Sequence, residues 1–165
     1  MPKIIGIGGC SRSGKSSLAH HIKEKLADKR VLLLDMDAFV HPASEIPKIR
    51  DRTDWERPES VDFERLIQAI KDSKDYDTIV VEGILIFANE TLRKLFDTTI
   101  HVEISKDTFL ARRRLETRWG DEPEWFLEHV WKSYLRHGQF PEADFVLSGK
   151  APTSMPVISE ILERC

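Results

Sequence analysis

Short runs rich in isoleucine and valine alternate along the chain with longer stretches of helical period. Lys3 to Gly8 reads as a buried strand, and Lys15 to Ala27 as a helix with Leu18, Ile22 and Leu26 on one stripe. Val31 to Leu34 is a second strand ending at Asp35. Phe63 to Lys71 is helical, with Phe63, Leu66, Ile67 and Ile70 on one face. Thr78 to Val81 is a third strand, ending at Glu82-Gly83, and Ile100 to Ile104 a fourth. Ser105 is placed to cap a helix predicted through Arg118, with Asp107 and Thr108 in its first turn. Pro123 opens a helix to about His137, Phe145 to Leu147 is a short last strand, and Pro156 to Leu162 a closing helix. This alternation predicts an α/β fold around a mostly parallel sheet.

The segment from Met36 to Ser60 has no clear period and carries Pro42, Pro47 and Pro58 among many charges. It follows the C-terminal end of the second strand, the edge where open α/β sheets place ligands, and loops of that length are usually functional. The 165 residues suit one domain, 1–165, and the 41% apolar and 32% charged fractions exclude wholesale disorder. A net charge of -3 removes any general attraction to nucleic acid or an anionic membrane. No apolar run approaches the ~18 residues of a membrane span. The opening Met1-Pro2-Lys3-Ile4-Ile5-Gly6 turns to glycine too soon for a signal peptide, and Cys10 and Cys165 make no disulfide framework. A cytoplasmic protein, monomeric or homodimeric, is expected.

Gly9-Cys10-Ser11-Arg12-Ser13-Gly14-Lys15-Ser16 fits G-x-x-x-x-G-K-[ST], with a predicted strand before it and a helix after it. Gly9 and Gly14 allow the tight turn that aims backbone N–H groups at phosphate oxygens, and the helix N-terminus adds partial positive charge. Lys15 can bridge the β- and γ-phosphates of ATP, and the Ser16 hydroxyl can ligate Mg²⁺. Ser11, Arg12, Ser13 and Ser17 complete the nucleotide-contacting set. Cys10 reads as a small filler, since nothing near it in sequence nominates a base.

Asp35, Asp37 and Glu82 follow the second and third strands, whose ends lie beside the phosphate loop in a parallel sheet. Phosphoryl transfer needs an acid to accept the proton of the attacking hydroxyl and acids to hold Mg²⁺ directly or through water. Asp37 is the candidate base and Glu82 the candidate metal or water ligand. In Ala111-Arg112-Arg113-Arg114-Leu115-Glu116-Thr117-Arg118-Trp119, helical spacing puts Arg114 and Arg118 on one face and Arg113 nearly opposite. Arginines that close over a γ-phosphate stabilise developing charge, and such helices often form a lid, here about 112–125.

The phosphate loop, Asp37-Ala38-Phe39, Asp54-Trp55-Glu56-Arg57-Pro58, Glu82-Gly83-Ile84-Leu85 and the arginine helix occur in that order. Together they resemble the uridine kinase and nicotinamide riboside kinase family of P-loop kinases. The stretch Trp125-Phe126-Leu127-Glu128-His129-Val130-Trp131-Lys132-Ser133-Tyr134-Leu135 looks closer to the nicotinamide riboside kinase branch. The resemblance implies a three-layer α/β/α P-loop NTPase fold with a five-stranded parallel sheet. It implies transfer of the ATP γ-phosphate to the 5′-hydroxyl of a nucleoside-like acceptor, nicotinamide riboside or uridine/cytidine. Asp37 then matches the catalytic acid, Glu82 the acid after the third strand, and Arg114 and Arg118 fall in the lid. The implied acceptor segment, about 36–62, includes Phe39, Asp54, Trp55 and Glu56, with Tyr134 as a further ring contact. Glu56 stands where the family commonly has Asp, so either Asp54 or Glu56 can hold the ribose diol, while Asp62 suits a helix cap. Ser148-Gly149-Lys150 falls in the loop beside the adenine. Two alternatives keep part of this machinery: another small acceptor, such as pantothenate or a sugar phosphate, or a nucleotide-binding module without kinase activity.

Overall fold

The computed structural model describes residues 1–151 and 155–164. The strands are β1 (Lys3–Gly9), β2 (Val31–Asp35), β3 (Lys48–Ile49), β4 (Arg52–Thr53), β5 (Thr78–Glu82), β6 (Thr98–Glu103) and β7 (Phe145–Ser148). The helices are α1 (Lys15–Lys25), α2 (Phe63–Asp72), α3 (Glu90–Arg93), α4 (Lys106–Arg114), α5 (Glu124–Ser133) and α6 (Met155–Glu163). Five strands form a parallel sheet in the order β2-β5-β1-β6-β7, as expected, and β3 and β4 form a separate antiparallel hairpin.

Strand side chains alternate between two apolar layers. Ile5, Ile7, Val80, Ile100, Val102, Phe145 and Leu147 pack against Leu18, Ala19 and Ile22 of α1 and Ile158 and Ile161 of α6. Ile79 and Val81 face the other way, onto Leu66 and Ile70 of α2, Leu92 of α3 and Leu85 to Phe87. A third cluster, Phe109, Phe126, Val130 and Tyr134 with Cys10, joins α4 and α5 to the underside of the phosphate loop. The layers match the expected α/β/α arrangement.

Two capping expectations hold. The Ser105 hydroxyl accepts from Thr108 N, and the Asp62 carboxylate accepts from Arg65 N. The expectation for the helix after Ser105 does not. α4 ends at Arg114, so Arg118 lies outside it in an irregular segment. Glu116 Oε1 accepts from the backbone N–H of Thr117 and Arg118, and Gly120 turns at φ 71. Those side-chain bonds replace the helical ladder. The helix expected from Pro123 to about His137 is present, as α5 and a continuous π-helical turn, Tyr134–Gly138. The aperiodic segment 36–60 contains the hairpin and short 3-10 turns at Met36–Ala38, Ala43–Glu45 and Pro58–Ser60.

Candidate active site

The pairing register sets the chemistry at one sheet edge. Asp35 of β2 sits opposite Glu82 of β5, and Ile7 of β1 is also level with Glu82. The chain leaves β1 directly into the phosphate loop. Gly9 has φ 148, and a side chain there would begin 2.4 Å from Val102 O and 2.9 Å from Ser13 Oγ. Arg12 and Gly14 adopt φ 64 and 101. Left-handed residues alternating in this way with Ser13 between them make a concave, anion-binding backbone.

Lys15 is buried, and its Nζ donates to Cys10 O at 2.8 Å. Burial pulls the ammonium below its usual range, while Glu82, Asp37 and Asp35 hold it up. Ser16 Oγ donates to Glu82 Oε1 at 2.6 Å. Burial pushes Glu82 above the usual carboxylate range, against the Ser16 bond and the Lys15 charge. Asp37 is also pushed up, by desolvation and then by Asp35, with Lys15, Arg118 and Arg113 opposing. Asp35 caps the turn that carries Asp37, accepting from Asp37 N at 2.8 Å. The Cys10 thiol is buried and pushed up to about 11, which leaves it inert as a nucleophile. Ser13 is fully buried, whereas Ser16 and Ser17 are exposed in the first turn of α1.

Next to the loop lies a cavity of about 510 Å³. Ser11, Asp37, Trp55, Glu56, Arg113 and Trp119 line it, together with Arg52, Glu122 and Phe126. The structure therefore brings Asp37, Trp55 and Glu56 together, as expected of an acceptor site. Burial pushes Glu56 up to about 7, against the nearby Arg113 charge. Asp54 stands behind this wall. Its Oδ1 accepts from His129 Nε2 at 2.8 Å and from Glu56 N at 3.3 Å. Of the two acids the sequence left open, Glu56 faces the cavity and Asp54 braces it.

Three expectations are corrected by this geometry. Arg114 is exposed and directed away, in a bidentate pair with Glu124 at 2.9 Å. Arg113, predicted to point opposite to Arg114, is the arginine that enters the site. It donates to Ser11 Oγ, pairs with Glu122 at 2.7 and 3.0 Å, and stacks over Trp119 at 4.1 Å. The separation of Arg113 from Arg114 was legible, but which of the two faces inward was not. Tyr134 is buried in the third core cluster, sharing a hydrogen bond with His101 Nε2 at 2.9 Å, and does not line the acceptor cavity. Trp119 supplies the second ring there instead. Phe39 packs into the core layer beneath Arg65, and Val40 takes the place at the cavity wall.

Arg118 stays near the reacting end, since its charge acts on Asp37, and it stacks on Trp119 at 4.6 Å. Arg12 pairs with Glu116 at 3.0 Å. Arg112 ties the phosphate loop to the segment after β7, donating to Arg12 O at 2.8 Å and Gly149 O at 3.1 Å. Lys48 and Arg50 do not line the cavity, and the Arg50 guanidinium lies over Trp125 at 4.1 Å.

Among the described residues, no group of three or more His, Cys, Asp or Glu is arranged to hold a metal. The Ser16 hydroxyl beside Glu82, with Asp35 and Asp37 close by, is nevertheless an all-oxygen set. It fits Mg²⁺, which takes few protein ligands and completes its shell with phosphates and water. No helix among the described residues is long and apolar enough to cross a membrane.

No family model matches the chain. It is 32% identical over 172 aligned positions to the uridine kinase of Geobacillus sp. strain WCH70, covering 86% of this chain and 81% of that one. It is 31% identical over 138 positions to the uridine kinase of Geobacillus kaustophilus, of which it spans 65%. A solved structure described as a possible uridine kinase from Bacillus stearothermophilus superposes with a TM-score of 0.60 at 19% identity, over 88% of each chain. The shikimate kinase of Aquifex aeolicus superposes at 0.55 with 22% identity, over 98% of this chain and 95% of that one. At those identities the structures speak for the fold.

Proposed function

The chain belongs to the uridine kinase family of P-loop kinases, and from that premise we propose that it transfers the γ-phosphate of ATP to the 5′-hydroxyl of a nucleoside-like acceptor. The observation that carries this reading is the cavity itself. It joins a candidate base, a second carboxyl group and two indole rings directly to the phosphate loop. Asp37 takes the proton of the attacking hydroxyl. Its raised affinity for protons suits that task, since a base works best when its pKa lies nearer the working pH. A bond forms between the acceptor oxygen and the γ-phosphorus, and the bond to the β-phosphate oxygen breaks. Lys15, Arg118 and the amides at the start of α1 face the charge that develops there. Mg²⁺ would be held by Ser16 and, directly or through water, by Glu82; when bound it neutralises the β- and γ-phosphate oxygens.

Glu56 is the group for the vicinal diol, because a carboxylate accepts two hydrogen bonds. Trp55 offers a face for a planar base, while the Trp119 ring already carries the Arg113 and Arg118 guanidinium groups. The charges in the cavity speak against a phosphorylated acceptor. Arg113 is neutralised by Glu122, and Arg52 spends a donor on Asp121 O at 3.2 Å, while Asp37 adds negative charge and Glu56, pushed up to about 7, adds more as pH rises past that value. A cationic ring gains from both the acids and the Trp55 face, which favours nicotinamide riboside over uridine or cytidine. The names of the relatives favour the pyrimidine nucleosides.

The test is Mg-ATP-dependent ADP release across nicotinamide riboside, uridine, cytidine, adenosine, pantothenate and ribulose 5-phosphate. Release that depends on a nucleoside supports the reading and selects the branch. Release with pantothenate or the sugar phosphate alone overturns the acceptor assignment. ATP hydrolysis indifferent to every acceptor overturns the kinase reading.

A further inference from the structure

Glu116 lies just beyond α4 on a surface segment, yet its side chain is only 8% exposed. Two arginines from different parts of the molecule enclose it. Arg12 of the phosphate loop places Nη1 3.0 Å from Oε2. Arg118 of the lid places Nε 3.0 Å from Oε1 and Nη2 3.0 Å from Oε2. Together with the backbone N–H groups of Thr117 and Arg118, this satisfies the carboxylate from several directions. Arg118 first, and Arg12 after it, hold the acid down at about 2, so it is ionised at any working pH.

Both cations are rooted where a terminal phosphate arrives. Arg12 is part of the loop that would cradle phosphates, with its carbonyl pinned by Arg112. Arg118 is close enough to Asp37 for each charge to act on the other. An acid held by two guanidinium groups at that spot has the charge sign and hydrogen-bonding pattern of a phosphate group.

We propose that Glu116 is an exchangeable counter-ion of the phosphate site: its carboxylate and the terminal phosphate of a nucleoside triphosphate compete for Arg12 and Arg118. The inference rests on the nucleotide-binding reading given above. A γ-phosphate carries more charge and more acceptor oxygens than a carboxylate, so it takes the arginines when it arrives. Once the γ-phosphoryl group has moved to the acceptor, Glu116 recaptures them. The clasp thereby discriminates a triphosphate from a diphosphate and loosens the lid after transfer.

Calorimetric titration of ATP, ADP and AMP into the wild type and Glu116→Gln tests this. The amide keeps the size of the side chain and removes its charge. ATP should bind the variant about threefold to tenfold more tightly, in keeping with the loss of two partly screened ion pairs. AMP affinity should stay unchanged. Glu116→Asp, which retains the charge, should bind ATP within twofold of the wild type, and its titration against alanine at the same position carries the test if the glutamine variant melts early. Unchanged or weakened ATP binding in the uncharged variants, with the wild type binding ATP normally, overturns the proposal and leaves Glu116 as a structural clasp. A wild type that binds no ATP overturns the nucleotide reading itself, and the counter-ion role with it.

Discussion

The phosphate loop is one contiguous stretch, Gly9 to Ser16, shaped by positive φ angles and by the start of a helix. The cavity beside it draws its walls from residues spread between Ser11 and Phe126. Short-range sterics hold the first. Buried charge pairs and ring contacts that form only when distant segments meet hold the second. A substitution in the loop or at its rim should therefore act on chemistry, whereas one in the cavity wall should act on folding and chemistry together.

The largest effect expected is at Asp37, on the exposed rim between the two regions. Asp37→Asn should lower kcat by about 10²- to 10⁴-fold and leave ATP affinity within a few-fold, read by steady-state ADP release and calorimetry. A variant that turns over normally would remove Asp37 as the base.

Arg113→Met separates the regions more sharply. It strands Glu122, whose side chain is 6% exposed, without its partner. The cost should be about 3–5 kcal/mol, visible as a fall in thermal midpoint. Adding Glu122→Leu should restore much of that stability but not turnover. Recovery of both would reduce Arg113 to a structural role.

Glu56 gives a smaller, pH-dependent effect. Its carboxyl titrates near 7 in the folded protein, above the usual 4.5. The folded state thus binds the proton more tightly than the unfolded chain, and stability is lost as pH rises from about 4.5 through about 7. Glu56→Gln removes that loss. Its stability relative to the wild type should grow by about 3 kcal/mol across this window and then level off, while the acceptor KM rises. Parallel pH–denaturation curves for the two proteins would contradict the assignment.

Arg114→Ala should do least. The ion pair with Glu124 is solvent-exposed, so the thermal midpoint should barely move, with kcat and both KM values nearly unchanged. A large loss of kcat would return Arg114 to the lid machinery and undo the contrast with Arg113.

Most of the sheet was legible because each strand is a short Ile/Val run and each packing helix carries its own apolar stripe. The loop, Asp37 and Glu82 were legible because strand ends in a parallel sheet share one edge. Tyr134 and Trp119 were harder. Both are aromatic residues near helix ends, and only packing decides that one hydroxyl meets His101 in the core while the other ring stands at the cavity. Asp54 and Glu56 likewise share one turn after β4, and His129, 75 positions from Asp54, selects which one turns inward.

Local chain order was enough to specify the phosphate cradle, the capped helix starts and the acid at each strand end. Those features depend on backbone sterics and on neighbours a few residues apart. The identity of the inward arginine and the choice of Glu56 over Asp54 were settled by the assembled protein. In each case neighbouring candidates are told apart by a partner from a distant segment, Ser11 for Arg113 and His129 for Asp54, and no stretch of chain contains both candidate and partner.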